Sequence, residues 1–352
     1  MASDAPLSIS VAMATYNGAR FIIDQLNSIA SQTLLPCELV ITDDGSSDDT
    51  CDIIRDFAKT SPFPVRLYHN KLRLGYRDNF IKSAYLCKGD LVAFSDQDDI
   101  WRKDKLMVQE KYFNDPRVAM VTHSYQVMDS DGRITNTIFP KLKRVKRYPP
   151  LGFNVFFTYY GMTLMFRKMM LPPSECINKR PIDYSTFEHF MSHDQWIPFL
   201  AISTQTIIFL PSALTLYRRH NNNTAGPQPK VKFLNRLKKL AFSQSPENNS
   251  KLYRNLSFSL LSRVNVLTSG CSPNASSSPE DIDKAIDFYN DLSAKYSLRA
   301  DMYHSNFSRL ERLMLLLKLL LSGAYGEKER SLFGVSGFVK DLINVSSIRR
   351  MR

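Results

Sequence analysis

Cysteine is scarce in this chain, and its spacing excludes the sites that cysteine usually builds. The 352 residues include five cysteines. This is an odd number without any C-x-x-C pair, so neither a zinc site nor a disulfide framework is predicted. A reducing cytoplasm is therefore the expected compartment. The cysteines are Cys37, Cys51, Cys87, Cys176 and Cys271.

Long apolar runs are absent as well. No stretch of about eighteen uncharged apolar residues occurs, and residues 1–10 show no basic segment followed by an apolar core. We therefore expect neither a membrane-spanning helix nor a signal peptide.

Nucleic-acid-binding motifs are missing even though the chain is basic. The net charge is +12, and positive residues cluster notably at 141–147 and 230–239. No C₂H₂ spacing, basic-region heptad or RNP-like aromatic motif accompanies these clusters, so we expect no nucleic-acid partner. Anionic membrane lipid fits the same clusters and stays open as a partner.

What the chain does contain, from Leu7 to about Phe113, is a repeated unit of an apolar β-rich run, a polar turn and a helical pattern. This alternation predicts an α/β fold with a mostly parallel central sheet flanked by helices. The length allows one α/β domain of ordinary size and a smaller addition. The predicted strands are residues 8–13, 38–42, 65–68 and 91–94.

Three of these strands end in polar clusters. They are followed by Tyr16 and Asn17, by Asp43 and Asp44, and by the acidic segment 96–99. The carboxyl ends of parallel strands lie at one edge of a sheet, so we expect these side chains to lie together. An Asp there is suited to accept hydrogen bonds from a nucleobase or ribose.

The acidic segment is typical of a metal site at a strand end. Asp96 and Asp98, two residues apart, would point the same way and repel each other unless a cation offsets their charge. Hard oxygen ligands suit Mg²⁺ or Mn²⁺. The alternative is a solvated acidic turn that caps a helix opened by Trp101.

Two later segments add candidate groups. Asp194 precedes an apolar helical run, which predicts that it lies at a helix N-terminus. His220 follows two arginines after a predicted strand at 214–217. Its neutral imidazole can bind Mn²⁺ or Mg²⁺, and the guanidinium of Arg218 or Arg219 can bind phosphate oxygens.

The C-terminal third is predicted to be helical. Strand patterns stop after Gly226, so we predict an α/β domain at 1–226 and a helical region at 227–352. Residues 231–240 are basic and amphipathic, and residues 310–321 are rich in leucine. Such helices either pack on the α/β domain and on each other or lie in a bilayer interface that faces anionic lipid, and both interpretations stay open.

Four motifs together resemble the family 2 glycosyltransferases of GT-A fold. They are V-A-M-A-T-Y-N-G at 11–18, D-D-G-S at 43–46, N-F at 79–80 and S-D-Q-D-D-I-W at 95–101. Their order and spacing match as well as their letters, over about residues 7–226. The last motif is similar to that of the rhamnosyltransferase-type members that build bacterial surface polysaccharides. The resemblance implies a Rossmann-like GT-A catalytic domain with a C-terminal α-helical appendage.

The resemblance also implies an activity. It points to an inverting, metal-dependent enzyme that moves a sugar from a nucleotide sugar onto a saccharide acceptor, expected to be lipid-linked, in O-antigen, capsule or exopolysaccharide synthesis. L-Rhamnose from dTDP-rhamnose is the expected donor, and a UDP-hexose is the alternative. A cytoplasmic location is expected, with peripheral attachment to the inner face of the plasma membrane open. The alternative of another class is a non-catalytic membrane-surface scaffold that keeps the glycosyltransferase shell.

Single residues take their expected roles from the same resemblance. Asp194 matches the family's catalytic base, although His193 stands where glutamate is more common. The expected ligands of Mg²⁺ or Mn²⁺ are Asp98, Asp96 and His220. The expected acceptor contacts are Tyr160, Gly161 and Trp196, although the run 159–166 is equally typical of a core strand. The expected nucleotide-sugar contacts are Thr15, Tyr16, Asn17, Asp43, Asp44, Asn79, Asp96, Arg218 and Arg219.

Overall fold

A computed structural model describes residues 7–157, 159–221, 223, 245–272, 278–326 and 333–347. In this part of the chain ten strands form one sheet, in the order β3-β2-β1-β4-β9-β6-β10-β5, with β7 paired to β6 and β8 to β10. The strands are β1 (Ile9–Thr15), β2 (Glu38–Asp43), β3 (Val65–His69), β4 (Leu91–Ser95), β5 (Ile100–Trp101), β6 (Val118–Met128), β7 (Ile134–Phe139), β8 (Lys146–Tyr148), β9 (Met165–Arg167) and β10 (Thr206–Arg218).

Helices cover both faces of this sheet. Helices α1, α2 and α4 lie on one face, and α3, α5 and the C-terminal helices lie on the other. The helices are α1 (Ile22–Ala30), α2 (Thr50–Ala58), α3 (Gly75–Leu86), α4 (Lys105–Glu110), α5 (His193–Thr204), α6 (Pro246–Thr268), α7 (Pro279–Tyr303), α8 (Arg309–Leu321) and α9 (Gly334–Ser347).

Strands β3, β2, β1 and β4 are parallel neighbours, as the alternating sequence pattern predicts. Thr15 is paired with Asp43, and Met13 with Ser95. The loops after β1, β2 and β4 therefore leave the sheet at the same edge. Beyond β4, the short strand β9 runs antiparallel between β4 and β6, and β6 and β10 are again parallel. The predicted α/β fold with a mostly parallel sheet is confirmed.

The buried strand residues alternate between two hydrophobic clusters. In β1, Val11 and Met13 join the cluster under α1 and α2, whereas Ala12 and Ala14 face the other side. This is the two-residue period of a strand that is covered on both faces. The result is a rigid platform for the loops at the strand ends.

Two predictions about local structure are wrong. Trp101 does not open a helix, because Ile100 and Trp101 pair with β10 as a short strand, and the helix begins at Lys105. Cys176 and Cys271 form a disulfide, although no disulfide was expected. The two cysteines are 95 residues apart in sequence, so only the tertiary fold brings them together.

The C-terminal helices share a core with the sheet. The N-termini of α6, α7 and α8 are capped by serine side chains, with a full capping box at Ser308 and Glu311. Tyr289, Leu316 and Leu319 belong to the same buried cluster as Phe94 of β4. The domain boundary at 226 stays a prediction.

The basic segment 231–240 lies outside the described residues. Across the part of the chain that the structure describes, every helix is too short or too polar to span a bilayer.

Candidate active site

A cavity of about 1030 Å³ opens where β1, β2 and β4 end. Of the residues predicted for the site, all but Asp43, Arg218 and Trp196 line it. The strand-end loops, the start of α5 and the segment after β10 are thus brought to one place. The predicted residues that line it are Thr15, Tyr16, Asn17, Asp44, Asn79, Asp96, Asp98, Tyr160, Gly161, Asp194, Arg219 and His220.

Hydrogen bonds hold the loop after β1 against its two neighbours. The backbone N–H of Tyr16 donates to Oε1 of Gln97 at 3.0 Å, and Nε2 of Gln97 donates back to the carbonyl of Tyr16 at 3.0 Å. Asn17 has a positive φ of 47° and accepts from the N–H of Ser47, a conformation that asparagine tolerates better than most residues. These contacts fix the loop through backbone atoms.

Asp43 and Asp44 have different tasks although they are adjacent. Asp43 is 1% exposed and accepts hydrogen bonds from Thr15, Gly45 and Ser46. Burial opposes its ionisation, but these hydrogen bonds hold the pKa of Asp43 below its usual value. Both oxygens of its carboxylate accept hydrogen bonds within the loop, and Asp43 does not line the cavity. The prediction that Asp43 contacts the nucleotide is therefore wrong. Asp44 lines the cavity instead.

Asp44 also organises the next loop. Its carboxylate accepts from the N–H groups of Leu74 and Gly75 at 2.6 and 2.7 Å. Gly75 has a φ of +75°, which a residue with a Cβ adopts only with strain. Asn79 donates to the carbonyl of Thr42 and lies beside Asp44 on the cavity wall.

Asp98 of the acidic segment contacts His220 on the wall of the cavity. Nε2 of His220 lies 2.7 Å from Oδ2 of Asp98. Burial raises the pKa of Asp96 to about 8, and the carboxylates of Asp98 and Asp194 add to the effect. Carboxylates under this mutual repulsion are suited to a divalent cation. Oxygen and imidazole donors suit Mg²⁺ and Mn²⁺, so the residues fit the predicted metal; its binding stays a prediction.

A second set of possible ligands occurs outside this cavity. In the described part of the chain, Asp43, Cys51 and His69 are the one trio of such groups whose ligand atoms all lie within 4.8 Å of one another. Burial and Asp43 raise the pKa of Cys51 to about 11, which disfavours the thiolate that binds metals. The guanidinium of Arg55 also lies 3.3 Å from Nε2 of His69. We assign no metal to this trio.

Arg218 is buried beneath the acidic segment, donates hydrogen bonds to it and does not line the cavity. It is 3% exposed, its Nε donates to the carbonyl of Asp98 and its N–H donates to Oδ1 of Asp99. A further guanidinium N–H pairs with Asp24. The prediction that Arg218 contacts the nucleotide is therefore wrong, and Arg219 is the arginine that lines the cavity.

The predicted base lies at the start of α5. Asp194 is in the first turn, is half-buried, and accepts a hydrogen bond from the hydroxyl of Ser192, the residue just before the helix. The predicted helix start at this residue is confirmed.

His193, beside it, is packed as an aromatic residue. Its ring stacks on Phe80 with centroids 4.0 Å apart, and burial lowers its pKa to about 4. A Cβ on Gly161 would lie 2.3 Å from Nε2 of His193. Glycine at 161 is therefore required by the close approach of this imidazole.

An ion pair behind the base joins two elements. Arg77 of α3 pairs at 2.6 Å with Asp183, whose side chain is 1% exposed. Asp183 also accepts from Nε2 of Gln195 in α5 at 2.9 Å. This chain of contacts connects α3 to the first turn of α5 and so sets the position of Asp194.

The acceptor segment divides between the core and the cavity. Tyr159 is buried in the core, whereas Tyr160 lines the cavity in an aromatic cluster with Tyr125 and Tyr217, at centroid distances of 4.8 and 6.3 Å. Trp196 is fully buried and packs on Phe199. The prediction that Trp196 contacts the acceptor is wrong, because its side chain points into the core.

Several cavity residues were not predicted. Arg20 and Arg73 line the cavity with Arg219, and the guanidinium of Arg73 lies 4.0 Å from the ring centre of Tyr16. Gln97 stands inside the acidic motif and could have been chosen there. The arginines carry no local sequence signal, since only the fold brings them to the cavity.

Comparisons with known proteins agree with this geometry. Residues 10–171 match the family model described as Glycosyl transferase family 2. The dTDP-rhamnosyl transferase RfbG of Shigella flexneri is 39% identical over 100 residues, 27% of this chain and 34% of that protein. The UDP-Glc:alpha-D-GlcNAc-diphosphoundecaprenol beta-1,3-glucosyltransferase WfgD of Escherichia coli is 26% identical over 133 residues, 38% of this chain and 51% of that protein.

A solved structure extends the likeness to the whole chain. S. aureus TarS 1–349 in complex with UDP-GlcNAc has a TM-score of 0.52 and 16% identity, and covers 98% of this chain and 93% of that one; at this identity the likeness shows the fold alone. The matched segments span between about a third and three fifths of the length of the first curated relatives. The fold is the GT-A fold of these glycosyltransferase structures, and residues 10–171 of this chain match the model of glycosyltransferase family 2.

Proposed function

We propose that this protein is an inverting glycosyltransferase that acts in bacterial surface polysaccharide synthesis. The observation that carries the proposal is one cavity lined both by the acidic segment with His220 and by Asp194. A donor's diphosphate and an acceptor's hydroxyl could thus be held on opposite sides of one anomeric carbon.

The proposed reaction needs positive charge beside the diphosphate of the donor. Asp98 and His220, with Asp96, would hold Mg²⁺ or Mn²⁺, which when bound offsets the charge on the leaving diphosphate. Arg219, with Arg20 and Arg73, offers guanidinium groups to the phosphate oxygens. Asp44, Thr15, Tyr16, Asn17 and Asn79 would hold the nucleoside.

The acceptor side supplies the base. The acceptor hydroxyl attacks the anomeric carbon in line, the bond from that carbon to the diphosphate oxygen breaks, and Asp194 takes the hydroxyl proton. The nucleoside diphosphate leaves with the bonding electron pair, and the configuration inverts in this single displacement. Tyr160 and Gly161 would line the acceptor position.

The donor proposed first is dTDP-rhamnose. The likeness to RfbG, whose name states dTDP-rhamnosyl transfer, supports it. The likeness to WfgD, whose name states UDP-Glc as the donor, supports the alternative, a UDP-hexose. Calorimetric titration with dTDP and UDP, each with and without Mn²⁺, distinguishes the two donors.

We further propose a lipid-linked saccharide acceptor and a position at the inner face of the plasma membrane. The diphosphoundecaprenol acceptor in the name of WfgD supports this choice. An acceptor of that kind has its sugar at a bilayer surface, so the enzyme has to work there.

Asp194→Asn tests the enzyme against the scaffold alternative. We expect sugar transfer to fall by about 10²–10⁴-fold, because the amide cannot take the proton, while nucleotide binding is kept. Asp56→Asn, on the exposed side of α2, is the matched control and should keep full transfer. Unchanged transfer in Asp194→Asn would refute the base, and absence of all nucleotide binding in the wild type would favour the scaffold.

A further inference from the structure

Helix α8 buries one charged side chain and exposes several large apolar ones. Arg312 is 4% exposed and donates hydrogen bonds to the carbonyl oxygens of Phe307 and His304. Leu310 is 68% exposed and Leu321 is 89% exposed. An arginine turned inward and leucines turned outward are not explained by folding in water alone.

The exposed leucines form one stripe along this helix. The exposed apolar residues recur every three or four positions, which places them on one side of an α-helix. The buried side is occupied by Leu316 and Leu319. The stripe consists of Leu310, Leu313, Met314, Leu317, Leu320 and Leu321.

Helix α9, which packs against α8, repeats the pattern. Asp341 is fully buried, where Arg299, Tyr303 and Tyr325 donate hydrogen bonds to it. The exposed side of the helix carries Val335, Val339 and Leu342. We call these three residues and the α8 stripe the outer apolar face.

We propose that the outer apolar face docks into the interface of a bilayer that contains anionic lipid. On α8 itself Arg309 and Lys318 are exposed beside the stripe, and Glu311 is the exposed acidic residue of that helix; in sequence, residues 309–352 include nine Lys or Arg and four Asp or Glu. An interfacial helix buries its apolar side at the headgroup level while basic side chains meet anionic lipid. The purpose of this docking rests on the proposed function, since docking would place the cavity beside a lipid-linked acceptor.

The length of α8 agrees with a helix that lies on the membrane. Its 13 residues extend about 20 Å, against roughly 30 Å for the hydrocarbon core of a bilayer. The leucines can therefore enter the interface but cannot cross the membrane.

Charge disfavours a second copy of this chain as the occupant. A dimer through this face would bring Arg309 and Lys318 toward an equally basic surface, and like charges across an interface oppose association. Anionic headgroups complement the same residues.

Vesicle flotation tests the inference. Purified protein is mixed with vesicles of equimolar phosphatidylcholine and phosphatidylglycerol, and with vesicles of phosphatidylcholine alone. We expect binding to the anionic vesicles that is weakened by salt. The triple variant Leu313→Gln, Leu317→Gln, Val339→Gln should bind at least about tenfold less. All three positions are exposed, so the fold is kept.

The matched control removes the same number of exposed apolar side chains elsewhere. Leu35→Gln, Met107→Gln, Ile134→Gln should bind vesicles like the wild type. Equal losses in both triple variants, or no loss in the first, would overturn the inference. So would a wild type that ignores vesicles but forms a dimer that the first variant abolishes.

Nucleotide calorimetry on the same proteins separates this inference from the proposed function. Both triple variants should bind nucleotide like the wild type, because neither changes a cavity residue. Vesicle binding without any nucleotide binding would refute the enzyme and keep the docking face. Nucleotide binding without vesicle binding would refute the docking face and keep the proposed enzyme.

Discussion

The proposed donor side and the proposed acceptor side of the cavity are built by different means. On the donor side, loops at the ends of neighbouring strands are joined by hydrogen bonds such as those between Tyr16 and Gln97, and the bonded residues themselves line the cavity. On the acceptor side, the residues that set the position of Asp194 lie behind it, in the ion pair of Arg77 with Asp183. The donor side should thus lose binding when altered, and the acceptor side should lose stability or acceptor turnover.

The largest expected effect on nucleotide binding is on the donor side. Asp98→Asn removes the charge that faces His220. We expect metal-dependent nucleotide binding to be lost and transfer to fall roughly 10³-fold, the equivalent of about 4 kcal/mol. Calorimetry with and without Mn²⁺, together with a transfer assay, measures both losses.

Protein stability provides the control for this variant. Asp98 is half-buried and belongs to the loop after β4, so the melting temperature should change little or rise as carboxylate repulsion is relieved. A variant that binds metal and nucleotide like the wild type would remove Asp98 from the donor side.

The next effect concerns stability on the acceptor side. Arg77→Met leaves the buried carboxylate of Asp183 without its cation, which should lower the free energy of unfolding by about 3 kcal/mol. Arg102→Ala, which breaks an exposed pair with Asp104, should cost less than about 1 kcal/mol. Urea denaturation measures both, and equal costs would show that the Arg77 pair does not anchor α5.

The sequence predicts the donor side better than the acceptor side for a physical reason. Strand ends can be read from local patterns, and parallel pairing brings Tyr16, Asp44 and Asp98 to one edge without further information. Which member of an adjacent pair faces outward depends on loop hydrogen bonds, so Asp43 was assigned a place on the cavity wall that Asp44 occupies.

The acceptor side depends on packing between distant segments. Trp196 follows Asp194 by two residues on one helix, which turns its side chain away from the cavity and into the core. The contacts of Arg77 with Asp183 and of His193 with Gly161 join segments that no local pattern connects. Residue type and spacing therefore predicted that Asp194 lies at the start of a helix, but they did not predict the residues that hold it in place.

His193 makes the acceptor side sensitive to acid. Burial lowers its pKa from 6.5 to about 4, so below pH 6.5 the unfolded chain binds a proton that the folded protein does not. The free energy of unfolding is therefore highest above pH 6.5, the pKa of His193 in the unfolded chain. It falls by about 3 kcal/mol as the pH approaches 4. Urea denaturation across this range should show a weaker pH dependence in His193→Phe, and parallel curves would contradict the assignment.

The smallest expected effect comes from substituting two glycines that line opposite sides of the cavity. At both positions an added Cβ would clash with a neighbouring side chain. A Cβ on Gly18 would lie 2.4 Å from Oε1 of Gln97, and one on Gly161 would lie 2.3 Å from Nε2 of His193. Gly18→Ala displaces the amide that holds the backbone of Tyr16, whereas Gly161→Ala displaces a packed ring beside Asp194. Each clash should cost about 1–3 kcal/mol.

The two variants should separate the two substrates. We expect Gly18→Ala to weaken nucleotide binding roughly tenfold, with the acceptor KM little changed, since about 1.4 kcal/mol corresponds to a factor of ten. Gly161→Ala should do the opposite, raising the acceptor KM while calorimetry shows unaltered nucleotide binding. If both variants impaired both substrates equally, the donor and acceptor sides would respond as one mechanical unit, because displacing Gln97 would then also move the start of α5.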